Sequence, residues 1–100
     1  MVLKLATIGL PRPVAEELIR RLVAEGKFSW EADFTSKQRA RSFTMRQVLE
    51  TLKGGSINQG PVRDEYGEWK CRIKRRVAGR LVRVVVAIQG EVWLTLISVH

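Results

Sequence analysis

Residues 68–77 read EWKCRIKRRV, and the alternation of basic and apolar side chains in this stretch predicts a β-strand. Side chains on a strand point to opposite faces in turn. The basic face consists of Lys70, Arg72, Lys74 and Arg76. The apolar face consists of Trp69, Cys71, Ile73 and Val77. This second face therefore belongs against a hydrophobic core, and only Arg75 departs from the alternation.

The basic face of this strand is a row of four like charges, spaced about 7 Å apart along the strand. Such charges repel one another, and a phosphate backbone relieves the repulsion by neutralising them and releasing its counterions. A second interpretation is a solvated sheet face, or an edge strand that Lys and Arg protect against aggregation. The pattern alone leaves both interpretations open.

The charge of the chain is unevenly distributed. The 100 residues, 45% of them hydrophobic, carry a formal net charge of +8, and this length and composition predict one folded domain over residues 1–100. Residues 1–34 hold five Lys or Arg and five Asp or Glu, so residues 35–100 hold the remaining 13 basic and five acidic groups. Localised positive charge of this kind is typical of nucleic-acid-binding proteins and of proteins with an acidic partner.

The residue content excludes several kinds of site. One cysteine and one histidine are too few for a zinc site, and Gly54-Gly55 follows a predicted helix without the lysine of a phosphate-binding loop. We expect no metal and no cofactor.

Cys71 lacks a disulfide partner within the chain and is expected to be a small buried residue of a cytoplasmic protein. The apolar start is too short for a membrane span and lacks a cleavage site, so we expect no membrane contact.

Two helices are predicted in the N-terminal half. Pro13 fits a first helical turn, and apolar residues recur at helical spacing up to Gly26, which predicts a helix over residues 13–25. Thr44 and Gln47 have the spacing of a capping box, and the apolar stripe after them predicts a helix over residues 45–53. Between these helices we expect a short extended segment or loop carrying the aromatic residues, and then a single helical turn within residues 36–42.

The C-terminal part predicts a three-stranded antiparallel meander. Residues 78–80 form a hairpin connection from the basic strand to an apolar strand over residues 81–88, and Gln89-Gly90 leads into a last strand. In that last strand, alternation places Leu96 on one face and Val99 on the other. Residues 56–67 are expected to form a loop that has room for a short strand. Residues 2–8 are compatible with another short strand.

The order of these elements predicts an α+β fold, in which two N-terminal helices pack on a C-terminal antiparallel sheet of three or more strands. The helices then cover the apolar face of the sheet and leave the basic face open. A basic open sheet face is suited to binding RNA through its phosphates and bases.

The remaining polar residues suit metal-free RNA cleavage, in which a base activates the ribose 2′-hydroxyl, cations stabilise charge on the phosphate and an acid protonates the departing oxygen. Histidine has an ordinary pKa close to neutrality and suits proton transfer. The alternative is that the histidine has no role and the tyrosine only packs at the rim of the sheet. The catalytic candidates are His100, Arg72, Lys70 and Tyr66. The RNA-binding candidates are Lys37, Arg39, Arg41, Lys70, Arg72, Lys74 and Arg76.

Four segments of the chain carry a family resemblance: RRLVAEGKF (20–28), FTMRQVLETLKGGSI (43–57), RVAGRLVRVVVAI (76–88) and VWLTLISV (92–99). Together they resemble a bacterial family of domains of unknown function that is considered a relative of the RelE and MqsR toxins, in the barnase/RelE-like group. The resemblance implies a RelE/MqsR-like fold. By this similarity His100 matches an acid on the last strand, and the matching phosphate-contacting cations are Lys70, Arg72 and Lys74.

The sequence departs from that family at one position. Members carry a histidine before the second helix, whereas residues 34–42 here read FTSKQRARS. Lys37 or Gln38 lies nearest to the position of the missing histidine.

The resemblance implies a cytoplasmic, toxin-like mRNA endoribonuclease of a bacterial type II toxin–antitoxin system. Its implied partners are RNA, either free or bound to the ribosome, and an acidic antitoxin whose partly disordered chain wraps the basic face. Two alternatives remain: a catalytically silent RNA- or protein-binding module on the same fold, and an interaction domain that docks an acidic protein. RNA binding separates the interaction domain from the other two, and RNA cleavage separates the enzyme from the silent module.

Overall fold

The computed structural model describes residues 9–100, and the predicted α+β class is confirmed within them. The helices are α1 (Arg12–Ala24), α2 (Phe34–Ala40) and α3 (Met45–Gly54). The strands are β1 (Phe28–Trp30), β2 (Ser56–Arg63), β3 (Trp69–Val77), β4 (Arg80–Gln89) and β5 (Trp93–Val99). The further strand considered for residues 2–8 lies outside the described residues.

The helices agree with the sequence at α1 and α3 and differ at α2. The side chain of Thr44 accepts the backbone N–H of Gln47, and the Gln47 side chain accepts the N–H of Thr44, so the capping box of α3 is formed. Helix α2 has seven residues, where the sequence predicts a single turn. Its first residue, Phe34, is fully buried, and packing of this ring against the core stabilises a helix whose own length is marginal.

The five strands form one mixed sheet in the order β1-β5-β4-β3-β2. The predicted meander is present as β3, β4 and β5, which pair antiparallel. Strand β2 pairs antiparallel with β3, and the three-residue β1 pairs parallel with β5. The sheet is therefore larger than the three-stranded minimum, and it is mixed, whereas the sequence predicts an antiparallel one.

Helix α1 binds the outer edge of β2. The backbone N–H of Ile57 donates to Glu16 Oε2 at 2.7 Å, and Arg12 Nε donates to the carbonyl oxygen of Gly60 at 2.8 Å. These side chains occupy backbone groups that an edge strand otherwise offers to another chain. They also explain why residues expected to form a loop pair as a strand, with two shifts of register against β3.

The hydrophobic core lies between the helices and one face of the sheet. Ile73, Val84 and Leu96 point into it from three neighbouring strands and are at most 1% exposed. Ile19 of α1 and Val48 of α3 are fully buried against them. The predicted inward face of β3 is confirmed, and its basic side chains lie on the opposite, open face of the sheet.

A two-residue turn, Ala78-Gly79, joins β3 to β4. Both residues have positive φ, 51° and 81°, which is the backbone conformation of tight turns that match the twist of a hairpin. The sequence predicts a three-residue connection that includes Arg80, and this prediction is wrong because Arg80 is the first residue of β4. The resulting register places Lys74 directly opposite Arg83.

Strand β5 contains one extra residue relative to β4, where the register shifts between Val85 and Val86. Leu94, Leu96 and Val99 are consequently all fully buried. Strict alternation predicts Val99 on the face opposite Leu96, and this prediction is wrong because an extra residue reverses the alternation from that point on. The residue that follows Val99 therefore points to the open face.

None of the helices within residues 9–100 has the length and apolarity needed to cross a membrane.

Two adjacent glycines at the end of α3 provide a test of the packing. A Cβ at Gly55 would lie 2.5 Å from the carbonyl oxygen of Thr51 and 2.6 Å from that of Lys74, whereas a Cβ at Gly54 would meet only the Arg75 guanidinium, which can move. We expect Gly55→Ala to lower the free energy of unfolding by about 1–3 kcal/mol, the usual range for overpacking. Gly54→Ala is the control and should stay within about 1 kcal/mol of wild type, because helix propensity offsets the lost contact. Urea denaturation measures both, and equal losses in the two variants would contradict the close approach.

Candidate nucleic-acid interface and active site

Three basic side chains lie side by side across the open face of the sheet, one on β3, one on β4 and one on the residue that follows β5. Lys74 is opposite Arg83, and Arg83 exchanges two backbone hydrogen bonds with His100, at 2.7 and 2.8 Å. Residues directly opposite each other in an antiparallel ladder share a face. We call Lys74, Arg83 and His100 the basic row.

Arg72 stands next to the basic row, two residues from Lys74 along β3 and therefore about 7 Å away. Its Nε donates to the side-chain oxygen of Asn58 on β2 at 3.2 Å, and the guanidinium is partly buried. This hydrogen bond holds the side chain along the sheet surface.

Arg41 approaches the basic row from the segment after α2. Its guanidinium donates to the carbonyl oxygen of Val99 at 2.8 Å. Arg80 holds this segment in place, because it donates to the carbonyl oxygens of Ser42 and Arg41, at 2.7 and 3.1 Å, and lies 4.1 Å over the centre of the Phe43 ring. Arg41 is thus fixed beside the end of β5 by contacts on both sides.

His100 has a lowered pKa in these surroundings. Partial burial lowers the pKa of its imidazole below 6.5, and the positive charges of Arg72, Arg41 and Arg83 lower it further. The imidazole is therefore mainly neutral at pH 7 and available to accept a proton. The family resemblance implies an acid at this position, whereas the environment in the free protein favours a base.

No salt bridge within residues 9–100 neutralises the positive charge of this surface. Within residues 9–100, the salt bridges involve other cations: Arg21, Lys27, Lys37, Arg46 and Arg75. None involves the basic row, Arg72 or Arg41 over that range, and residues 1–8 contain no Asp or Glu. The surface can therefore attract an anion.

The sequence profile of DUF4258, a domain of unknown function, matches residues 31–100. The chain belongs to the DUF4258 family. The matched region contains α2, α3, β2 to β5 and every residue of the basic row. A search of curated proteins and a search of solved structures each find no match to the chain. The predicted membership in a family of unknown function is confirmed, and the relation of this DUF4258 domain to RelE and MqsR stays a prediction.

The DUF4258 fold brings several of the predicted site residues together. His100, Arg72, Lys74 and Arg41 converge at one end of the open face, as described above. Lys70 lies on the same face, two residues from Arg72 and opposite Ala87.

Three other predicted residues, Tyr66, Arg76 and Arg39, lie apart from this group, and Lys37 lies beside it. Tyr66 is 79% exposed in the turn between β2 and β3, at the opposite end of the sheet from His100, and its backbone N–H donates to Asp64. Arg76 turns towards the β3–β4 turn, where it donates to the carbonyl oxygen of Gly79. Lys37 pairs with Asp33 at 3.3 Å and also reaches the edge of β5, and Arg39 is exposed on α2.

Arg83 is a residue of this site that the sequence interpretation missed. It is the only charged residue within the apolar stretch 81–88, which is a usable signal, since a lone charge in a buried strand must face solvent or a ligand. A two-residue hairpin turn would have placed it opposite Lys74.

Cys71 lies on the opposite, core-facing side of β3 from the basic row. It is buried as predicted, and burial, with a smaller effect of Glu16, raises the pKa of its thiol to about 12. In the described part of the chain, no three His, Cys, Asp or Glu side chains lie close enough together to hold a metal ion.

The electrostatic surroundings of His100 can be measured by NMR titration of its imidazole. We expect a pKa below 6.5 in the wild type and a higher pKa in Arg72→Gln, because removal of a nearby positive charge makes protonation easier. Arg76→Gln is the matched control, since it removes an arginine from the same face of the same strand and should leave the pKa unchanged. A wild-type pKa above 6.5, or equal shifts in the two variants, would contradict the arrangement.

Proposed function

We propose that this DUF4258 domain binds single-stranded RNA on its open sheet face and cleaves it without a metal, as the endoribonuclease toxin of a bacterial toxin–antitoxin pair. The observation that carries the proposal is the convergence of His100 with Arg72, Arg83 and Arg41, none of which forms a salt bridge within residues 9–100. A proton acceptor and several fixed cations within one small area suit phosphoryl transfer.

Phosphate binding is the first step of the proposed reaction. Lys74 and Arg83 point from neighbouring strands to the same side of the sheet, and a phosphate between them interacts with both. Arginine offers several N–H donors in a planar fork, which suits the phosphate oxygens. Binding then gains further free energy from the counterions that the RNA releases.

Cleavage follows by attack of the neighbouring ribose hydroxyl. His100 accepts the proton of the 2′-hydroxyl, and the oxygen forms a bond to phosphorus while the bond to the 5′-oxygen breaks. The departing 5′-oxygen takes a proton from water, the imidazolium of His100 returns its proton to the resulting hydroxide, and the other product carries a 2′,3′-cyclic phosphate. Arg72, Arg83 and Arg41 stabilise the additional negative charge of the transition state.

The toxin assignment rests on the resemblance to RelE and MqsR proteins together with the exposed cationic surface. An acidic partner would neutralise the same side chains that bind RNA and would thereby inhibit the enzyme. Electrostatic attraction would also speed its association.

A second candidate is an RNA-binding module without catalytic activity. It is favoured by the absence of a histidine in residues 34–42 and by the distance of Tyr66 from the basic row, since these leave His100 without a second proton-transfer group of the expected kind. Such a module would still bind phosphate through Lys74 and Arg83.

RNA cleavage by the purified protein tests the enzymatic proposal. We expect cleavage of single-stranded or ribosome-bound RNA in the presence of EDTA, with 2′,3′-cyclic or 3′-phosphate ends, while DNA of the same sequence stays intact. His100→Gln and Arg72→Gln should each lower the rate by about 10²-fold, the usual scale for one acid–base or charge-stabilising group. Arg20→Gln, an exposed change on α1, is the control and should keep the wild-type rate.

The cleavage assay, together with measurements of binding and of growth on expression, separates the candidates. RNA binding without cleavage, together with no effect of expression on growth, supports the silent module. Binding to an acidic protein alone, with no affinity for RNA, supports the interaction domain. If His100→Gln cleaves as fast as the wild type, His100 is not the proton acceptor.

The salt dependence of RNA affinity tests which surface binds phosphate. We expect the double variant Lys74→Gln/Arg83→Gln to flatten the log–log salt slope by about 1.4, since each contact with a single strand contributes about 0.7. The control, Arg20→Gln/Arg46→Gln, removes the same net charge from the helical side and should leave the slope unchanged. Equal effects of the two pairs would show that overall charge, and not the open face, determines binding.

A further inference from the structure

A concave pocket of about 430 Å³ opens on the same sheet face, next to the basic row. Its lining combines the apolar side chains of Val85 and Ile97 with the polar side chains of Gln59 and Ser98, and Arg72 stands at its side. The volume lies within the usual range of small-ligand sites, and the mixture of apolar and hydrogen-bonding groups is typical of them.

Two irregularities of the sheet create this pocket. The register of β2 shifts on both sides of Gln59, and Gly60 in the shifted segment has a φ of +82°, with no room for a Cβ because the carbonyl oxygen of Lys70 would lie 2.6 Å away. On the other side, the extra residue of β5 leaves both Ile97 and Ser98 lining the pocket. Bulges at strand edges often redirect side chains next to functional sites.

We propose that this pocket holds one nucleobase of the bound RNA, beside the phosphate at the basic row; the inference rests on the proposed RNA binding and deepens it. A flat base packs against Val85 and Ile97 and against the guanidinium plane of Arg72, which Asn58 holds in orientation. Arginine planes and apolar side chains are common surfaces for unstacked RNA bases.

The hydrogen-bonding groups of the pocket suit recognition of a base edge. The amide of Gln59 is both a donor and an acceptor, and the hydroxyl of Ser98 can act as either. Neither side chain makes a hydrogen bond to another residue within 9–100. Arg72 and Val85 of the pocket are each two residues from Lys74 and Arg83 on the same strands, a distance of about 7 Å. A phosphate and the base attached to the same nucleotide can therefore reach the two sites together.

Binding of small probes to the full chain tests this site without requiring cleavage. The probes are ribose 5-phosphate and the 5′-monophosphates of adenosine, cytidine, guanosine and uridine, which differ only in the base. We expect at least one nucleotide to bind about fivefold or more tightly than ribose 5-phosphate, a conservative value for the contribution of one stacked base. Isothermal titration calorimetry or NMR shift titration gives the dissociation constants.

A matched pair of substitutions on β4 locates the base. Val85→Phe fills the pocket. It should lower the affinity for the nucleotide to that for ribose 5-phosphate, while the affinity for ribose 5-phosphate itself is retained. Leu81→Phe is the control, because Leu81 is partly exposed on the same face of the same strand but does not line the pocket. Gln59→Ala, on the edge strand, should narrow the differences among the four nucleotides even if Val85→Phe does not fold.

The outcomes distinguish this inference from the proposed catalysis. Equal affinities for all five probes, or identical effects of Val85→Phe and Leu81→Phe, overturn the base site even if RNA is cleaved. If a nucleotide binds more tightly than ribose 5-phosphate and Val85→Phe removes this difference in affinity, the base site is supported. This holds even if the protein cleaves no RNA, in which case only the enzymatic proposal fails.

Discussion

The extra residue in β5 is the constraint on which the candidate RNA-binding surface depends. Without it, strict alternation would place His100 on the same face as Leu94 and Leu96, against the core. The shift of register keeps Val99 buried and turns His100 to the open face, directly opposite Arg83. The same irregularity leaves two consecutive residues, Ile97 and Ser98, lining the pocket. One shift of register therefore produces both the basic row and the neighbouring pocket.

The tight turn between β3 and β4 has a similar effect on the cations. Its two residues set the pairing of Lys74 with Arg83, whereas one residue more would have placed Arg83 opposite Arg75. Cations in neighbouring strands repel each other, and opposite-strand like charges destabilise a sheet. Burial elsewhere in a protein can offset such repulsion, and here the apolar face of the same strands contributes that burial.

The sequence predicts the parts of this fold that are encoded locally. The capping box at Thr44, the apolar spacing of α1 and the alternation in β3 are each complete within one segment, and the structure confirms them. Helix α2 and strands β1 and β2 depend instead on distant partners, such as Glu16 for the backbone of Ile57, so residues 28–30, 34–40 and 56–63 carry only weak signals of their own.

The same difference between local and distant determinants applies to the site. The positions of Arg72 and Lys74 can be predicted from the alternation within one strand, whereas the position of Arg83 beside them depends on the length of a turn. The chemistry of histidine indicates His100, but the orientation of this residue depends on an extra residue that no local pattern reveals. Tyr66 is expected at the site because it precedes the basic strand, but β3 and β5 run in the same direction, so the start of β3 and the end of β5 lie at opposite ends of the sheet.

The lowered pKa of His100 links binding to chemistry in the proposed reaction. In the free protein, burial and three arginines disfavour the charged imidazolium, so the neutral base predominates. A bound phosphodiester brings one negative charge to the same arginines and weakens their repulsion of a proton on His100, which makes the imidazolium less unfavourable once His100 has accepted a proton. The arginines thus keep the base deprotonated until substrate arrives, and the substrate itself then stabilises the protonated form as the 2′-oxygen attacks.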